Sequence, residues 1–132
     1  MTDFTERLEL YREGGMITDH DVENINKIIE LFKNRYGITL CEENADTFVA
    51  HLCAAYSRLH TNEPVDELPE VVMDEIRNLN SYNKSLIILN SILEVTDIPL
   101  NETEQNYALL HINNLLSKLD SSEENEEQTG LK

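Results

Sequence analysis

The sequence predicts an all-α fold: a compact bundle of about five helices with a short helical extension at the N-terminus. Apolar residues recur at three-and-four spacing along most of the chain. Only 4 Gly and 3 Pro punctuate 132 residues, too few for the many tight turns of a β-sandwich or barrel. Capping and breaking residues stand at the ends of the periodic stretches, where helices start and stop. With 40% apolar residues, this length gives one domain with a packed interior.

The elements follow in order. In residues 1–17, FTERLELYREGG places Phe4, Leu8 and Tyr11 at helical spacing, and Gly14-Gly15 ends the segment. The main domain is expected over residues 18–119. It opens with Thr18 as a cap and Asp19 and Asp21 in the first turn of a helix. Val22, Ile25, Ile29 and Phe32 form its apolar stripe, and Gly37 stops it. A second helix runs from about Glu43 to His60 with Phe48, Leu52, Ala55 and Leu59 on one face; Asn62-Glu63-Pro64 breaks the chain after it. A third, roughly Glu67 to Leu79, carries Leu68, Val72, Ile76 and Leu79. The fourth begins near Ser81 and contains SLIILNSILEV, apolar on several sides and therefore central; Ile98-Pro99 ends it. Asn101 caps the last helix, and Glu104, three residues on, completes a capping box. That helix is expected to bury Tyr107, Leu110 or His111, and Leu115. From residue 120 the composition turns to SSEENEEQTGLK, an acidic tail expected to be disordered.

Charge narrows the function. The chain carries 26 acidic and 10 basic residues, a net −16 that repels nucleic-acid backbones and argues against direct DNA or RNA binding. Cys41 and Cys53 have neither metal-ligand spacing nor the density of a disulfide scaffold, so reduced thiols are expected. The N-terminal residues lack the apolar run of a signal peptide, and no stretch reaches membrane-spanning length. A soluble cytoplasmic protein, neither membrane-bound nor metal- or cofactor-dependent, is the expectation.

Two histidines stand out by spacing. His51 and Arg58 are seven residues apart, so on one helix they lie ~20° apart around the axis and ~10 Å apart along it. Arg58 leans back towards His51, as helical side chains do, and its guanidinium suits bidentate binding of an oxyanion. Glu104 and His111 repeat the spacing on the last helix, with Tyr107 one turn before His111. A carboxylate beside that imidazole would raise its pKa and orient the ring. Against this stands the plainer reading: packed core histidines, a snorkelling arginine, and a glutamate already used as a cap. Cys53 lies about 200° around the helix from His51, so the two cannot act as nucleophile and base. No HExxH, phosphate-binding glycine loop, GxSxG or EF-hand pattern is present, which leaves an enzymatic reading without support.

The segments around both histidines resemble a known family. FVAHLCAAYSRL, residues 48–59, is similar to the first signature of the phosphotransferase-system regulation domain (PRD), a histidine with an arginine seven positions later. IPLNETEQNYALLHINN, residues 98–114, resembles its second signature. The resemblance implies a five-helix bundle, often dimeric, phosphorylated on histidine by HPr or an enzyme II B component, as in bacterial antiterminators and transcriptional activators. By it, His51 and His111 are candidate phosphoacceptors, and Arg58, Glu104 and Tyr107 their pairing or orienting companions. The output would pass to a separate transcription regulator or transport protein, since no RNA-binding segment or helix-turn-helix accompanies the domain. A PRD-like binding or dimerisation scaffold that is not phosphorylated is the alternative. One local departure concerns the fourth helix. Where many members carry an acid and a glycine around a tyrosine, LNSYNKSL keeps Tyr82 but offers Ser81 and Ser85.

Overall fold

The computed structural model describes the backbone of residues 2–130 and the side chains of residues 2–120. Among the described residues there are six helices and no strand: α1 Thr5–Glu13, α2 Asp19–Tyr36, α3 Glu42–Thr61, α4 Glu70–Arg77, α5 Tyr82–Val95 and α6 Glu102–Gly130. The all-α expectation holds, with six helices where the bundle alone calls for five. The first is more than an extension: Phe4 and Leu8 are buried in the common core with Ile25, Phe32 and Phe48.

Local chemistry sets the helix ends. Thr18 accepts a hydrogen bond from the Asp21 N–H and donates its own N–H to the Asp21 carboxylate, a reciprocal capping box. Gly37 closes α2 in the left-handed conformation (φ 67°). Asn62 does the same for α3 at φ 57°, its short polar side chain tolerating a conformation that other residues avoid. The helix expected from Glu67 begins only at Glu70, because Leu68 precedes Pro69 and a residue before proline is driven out of the α region. It also ends before Leu79, which is 42% exposed and so not part of a buried stripe.

Two further expectations are corrected by packing. Helix α5 is not enclosed on all sides: Ile87 is 59% exposed, while Ser85, Ile88, Leu89, Ser91 and Ile92 face inward. Two buried serines displace apolar residues from the core face because each has a hydrogen-bond partner there. Ser91 pairs with Tyr36 (2.8 Å) and donates to the Ile87 carbonyl. In α6 the buried stripe is Ala108, Leu109, Ile112, Leu115 and Leu116; Tyr107, Leu110 and His111 lie at its margin, half-buried. The acidic tail expected to be disordered falls largely on residues 121–132, which lie outside those whose side chains are described.

Helix α6 packs chiefly against α3 and α5, and α2 lies against α5 and α3. The start of α2 is clamped to the ends of α3 and α5 by polar pairs. His60 meets the fully buried Asp21 at 2.7 Å, and His20 meets Asp97 at 2.8 Å. Asn24 donates to the Asp97 carboxylate and receives the Asp97 N–H, joining α2 to the α5–α6 loop. Among the described residues no helix is long and apolar enough to cross a membrane.

Candidate functional site

The sequence places one candidate pair on α3 and a separate one on α6. The fold merges them into a single site across the α3–α6 contact. The imidazoles of His51 and His111 lie 5.0 Å apart between ring centroids, tilted by 31°. Tyr107 does not serve His111, its neighbour one turn on; its ring stacks on His51 across the helix interface, 5.8 Å away at 24°. The tyrosine hydroxyl then donates to the backbone carbonyl of Asp66 (2.8 Å), in the non-helical segment between α3 and α4.

Arg58 and Glu104 also find each other rather than their seven-residue neighbours. Nε and Nη2 of Arg58 each donate to one carboxylate oxygen of Glu104, both at 3.0 Å, a bidentate fork between the two helices. Glu104 is 2% exposed, so the guanidinium is its counter-charge in an otherwise apolar setting. The capping box expected at this helix start is therefore only half formed. Asn101 accepts the Glu104 N–H at 2.9 Å, but the carboxylate goes to Arg58 instead of returning to the cap. An ionised carboxylate buried this deeply is better stabilised by a cation than by a single backbone N–H.

Electrostatics makes both rings neutral. Burial, with the neighbouring His111, lowers the His51 pKa to about 4; Glu104 and its backbone carbonyl oppose that shift, and Arg58 adds to it. Burial lowers the His111 pKa as well. The expected rise at His111 from Glu104 is thus overturned, since that carboxylate is spent on Arg58 and desolvation dominates. A neutral imidazole keeps a lone pair, which is what a nucleophile towards phosphorus needs. Nε2 of His51 and Nδ1 of His111 are buried without hydrogen-bond partners, a rare condition for polar atoms. Cys53 stays out of the chemistry: it is fully buried, and burial pushes its thiol up to about 12.

Sequence reasoning missed one part of the site and a polar network close to it in the chain. The Asp66 carbonyl is a backbone atom and leaves no trace in residue identity. The buried network lies about 200° around α6 from His111, on the side that meets Ser81 and Ser85. Asn113, fully buried, accepts from Ser81 (2.6 Å) and donates to Ser85 (2.9 Å) and to the Leu109 carbonyl (2.8 Å). The two serines that depart from the family pattern on α5 are the ones used here. An asparagine inside the apolar run of α6 was the signal available for it. Among the described residues, no group of three or more His, Cys, Asp or Glu side chains is placed to hold a metal ion.

The site lies inside the region that matches a known family. A family model described as PRD domain matches residues 26–115, more than half of the chain and inclusive of His51, Arg58, Glu104, Tyr107 and His111. No curated protein and no solved structure matches.

Proposed function

The chain belongs to the PRD family, regulatory modules of phosphotransferase-system-controlled proteins, and on that premise we propose that it is a phosphohistidine switch of the bacterial sugar phosphotransferase system. The observation that carries the proposal is the convergence of two neutral, incompletely hydrogen-bonded imidazoles beside one buried ion pair. HPr or an enzyme II B component is the phosphodonor in this reading. The output passes by protein–protein contact to a transcription regulator or transport protein, through a homodimer.

The switching step follows from charge. A phosphoryl group adds roughly two negative charges next to Arg58, which already serves Glu104. Phosphate and carboxylate then compete for one guanidinium. If Arg58 turns to the phosphate, Glu104 is left without a counter-ion in a place it cannot occupy as an anion. Moving the start of α6 away from α3 relieves this, so the α3–α6 contact is the bistable element and packing there reports the phosphate.

The test is incubation with enzyme I, HPr and phosphoenolpyruvate, with and without a B component. Expected is an acid-labile mass increase that maps to His51 or His111 and disappears in the His51→Ala, His111→Ala double variant. Unmodified protein under conditions that phosphorylate another PRD refutes the proposal. One observation favours the scaffold alternative: Arg58 is already satisfied by Glu104 and holds no vacant fork for an anion. Under that alternative, partner binding is unchanged in the double variant and indifferent to sugar supply.

A further inference from the structure

We propose that Tyr107 makes the two histidines unequal: His111 is the ring an incoming phosphoryl donor reaches first, and His51 reacts only when the contact between Tyr107 and Asp66 opens. The inference deepens the phosphohistidine reading above and rests on it for its biological meaning.

His51 is 9% exposed. Two rings of α6 cover it, His111 at 5.0 Å and Tyr107 stacked on it at 5.8 Å. The Tyr107 ring is in turn pinned by its hydroxyl, which donates to the Asp66 carbonyl at 2.8 Å. Asp66 lies in residues 62–69, which form no helix and run from the end of α3 to the start of α4. Tyr107 therefore works as a latch with two functions: its face shields His51, and its oxygen ties the ring to the connecting segment. His111 sits one turn further along α6, partly exposed and outside the stack. Its Nδ1 is the buried, unpartnered nitrogen, which leaves Nε2 for the open side of the ring.

The chemistry is an ordinary phosphoryl transfer. The Nε2 lone pair of His111 forms a bond to phosphorus as the bond from phosphorus to the donor breaks, and that electron pair leaves with the donor side chain. Bond formation leaves the ring cationic, a form that burial disfavours; the Nδ1 proton is then lost to solvent, balancing the proton that the departing donor group takes up. For His51 the same step needs the Tyr107 ring to swing out, and the hydroxyl bond to Asp66 must break for that to happen. Reactivity at His51 is thus tied to the position of the segment between α3 and α4.

Phosphoramidate, a small donor that transfers its phosphoryl group to neutral imidazoles and releases ammonia, tests the order without a protein partner. The whole chain is treated at neutral pH and labelled sites are followed in time by peptide mass spectrometry. In the wild type, His111 is expected to be labelled roughly tenfold faster than His51, as for a group reached only through a local opening. Tyr107→Phe, which keeps the stack and deletes the hydroxyl bond, should raise the His51 rate roughly fivefold, the change in open population from losing one ordinary hydrogen bond. The His111 rate should not move. Tyr107→Ala should raise the His51 rate further. His51 labelled as fast as His111 in the wild type overturns the proposal, as do a His51 rate indifferent to both tyrosine variants and a His111 slower than a histidine in a cleaved peptide. Labelling in the stated order by phosphoramidate, with no transfer from HPr or a B component, upholds the latch and defeats the phosphotransferase reading instead.

Discussion

Replacing Arg58 by Met should destabilise the protein far more than the loss of a surface ion pair. The reason is the asymmetry of the pair: the Glu104 side chain is 3% exposed while the Arg58 side chain is 23% exposed. Removing the arginine leaves a carboxylate in the interior with no counter-charge, a change that costs about 3–5 kcal/mol in buried pairs. Arg58 retains some contact with water, so the lower end, about 3 kcal/mol, is the expected loss. For a chain of this size that lowers the Tm by roughly 10 °C. Removing both charges together, Arg58→Met with Glu104→Leu, should recover most of the loss, because an apolar pair of similar volume needs no solvation. Arg58→Lys should fall between, keeping the charge but not the two-pronged geometry. Urea unfolding followed by circular dichroism at 222 nm gives all three values. A single-variant loss below about 1 kcal/mol, the range of exposed pairs, or a double variant worse than the single, would refute the assignment of this ion pair as a buried lock between α3 and α6.

Acid should weaken the fold through His51. Its pKa in the folded chain, about 4, lies below the ordinary 6.5, so between these values the unfolded chain binds a proton that the folded one refuses. The contribution is complete above pH 6.5 and is lost as pH falls towards 4; wild type should lose about 2 kcal/mol more than His51→Gln between pH 7 and 4.5. Parallel stability curves for the two would contradict the burial argument. Asn113→Leu removes the partner of Ser81 and Ser85 in the core and should cost about 1–3 kcal/mol; an unchanged urea midpoint would mean that the network is replaceable. Gly37→Ala meets no atom within 4 Å of the added Cβ, so its cost is that of the left-handed backbone alone, about 1 kcal/mol. A stabilised variant would show that α2 ends differently.

Much of this arrangement was legible in the residues, and the part that was not has a common cause. Helix ends depend on local chemistry, so Thr18, Gly37 and Asn62 mark them where the chain folds. Pro69 was legible too, once its effect on Leu68 is weighed above the apolar spacing of α4. Spacing offered His51, Arg58, Glu104 and His111 with packed core residues as the plainer reading, and the resemblance to PRD signatures singled them out; periodicity gives angles around one helix and nothing about its neighbour. Arg58 was therefore paired with His51 and Glu104 with His111, each along its own helix. The fold crosses these pairs over: Arg58 to Glu104, His51 to His111 and Tyr107. Long-range partners separated by 46 positions, as Arg58 and Glu104 are, can be read only from packing.

The four histidines show why unsatisfied atoms are the better guide to this site than residue type. His20 and His60 each place Nε2 on a carboxylate, and both tie helix ends together. In both, the histidine has a carboxylate partner, and the purpose of the pair is visible in the geometry. His51 and His111 instead leave one ring nitrogen each buried and unpaired, on rings only 5.0 Å apart. An apolar or aromatic residue would fill either place without that penalty. A fold selected for stability alone has no reason to keep two such rings at the contact between α3 and α6, beside its deeply buried ion pair. Two other buried atoms, Asp21 Oδ1 and the Tyr56 hydroxyl, also lack partners. Asp21 is already committed through its other oxygen to Thr18 and His60, and the Tyr56 hydroxyl is a single such atom, whereas the two histidine rings face each other. At the histidine pair the cost is unrelieved, and under the proposed phosphohistidine reading a phosphoryl group on either ring would draw Arg58 away from Glu104 and so couple the site to the packing of the bundle.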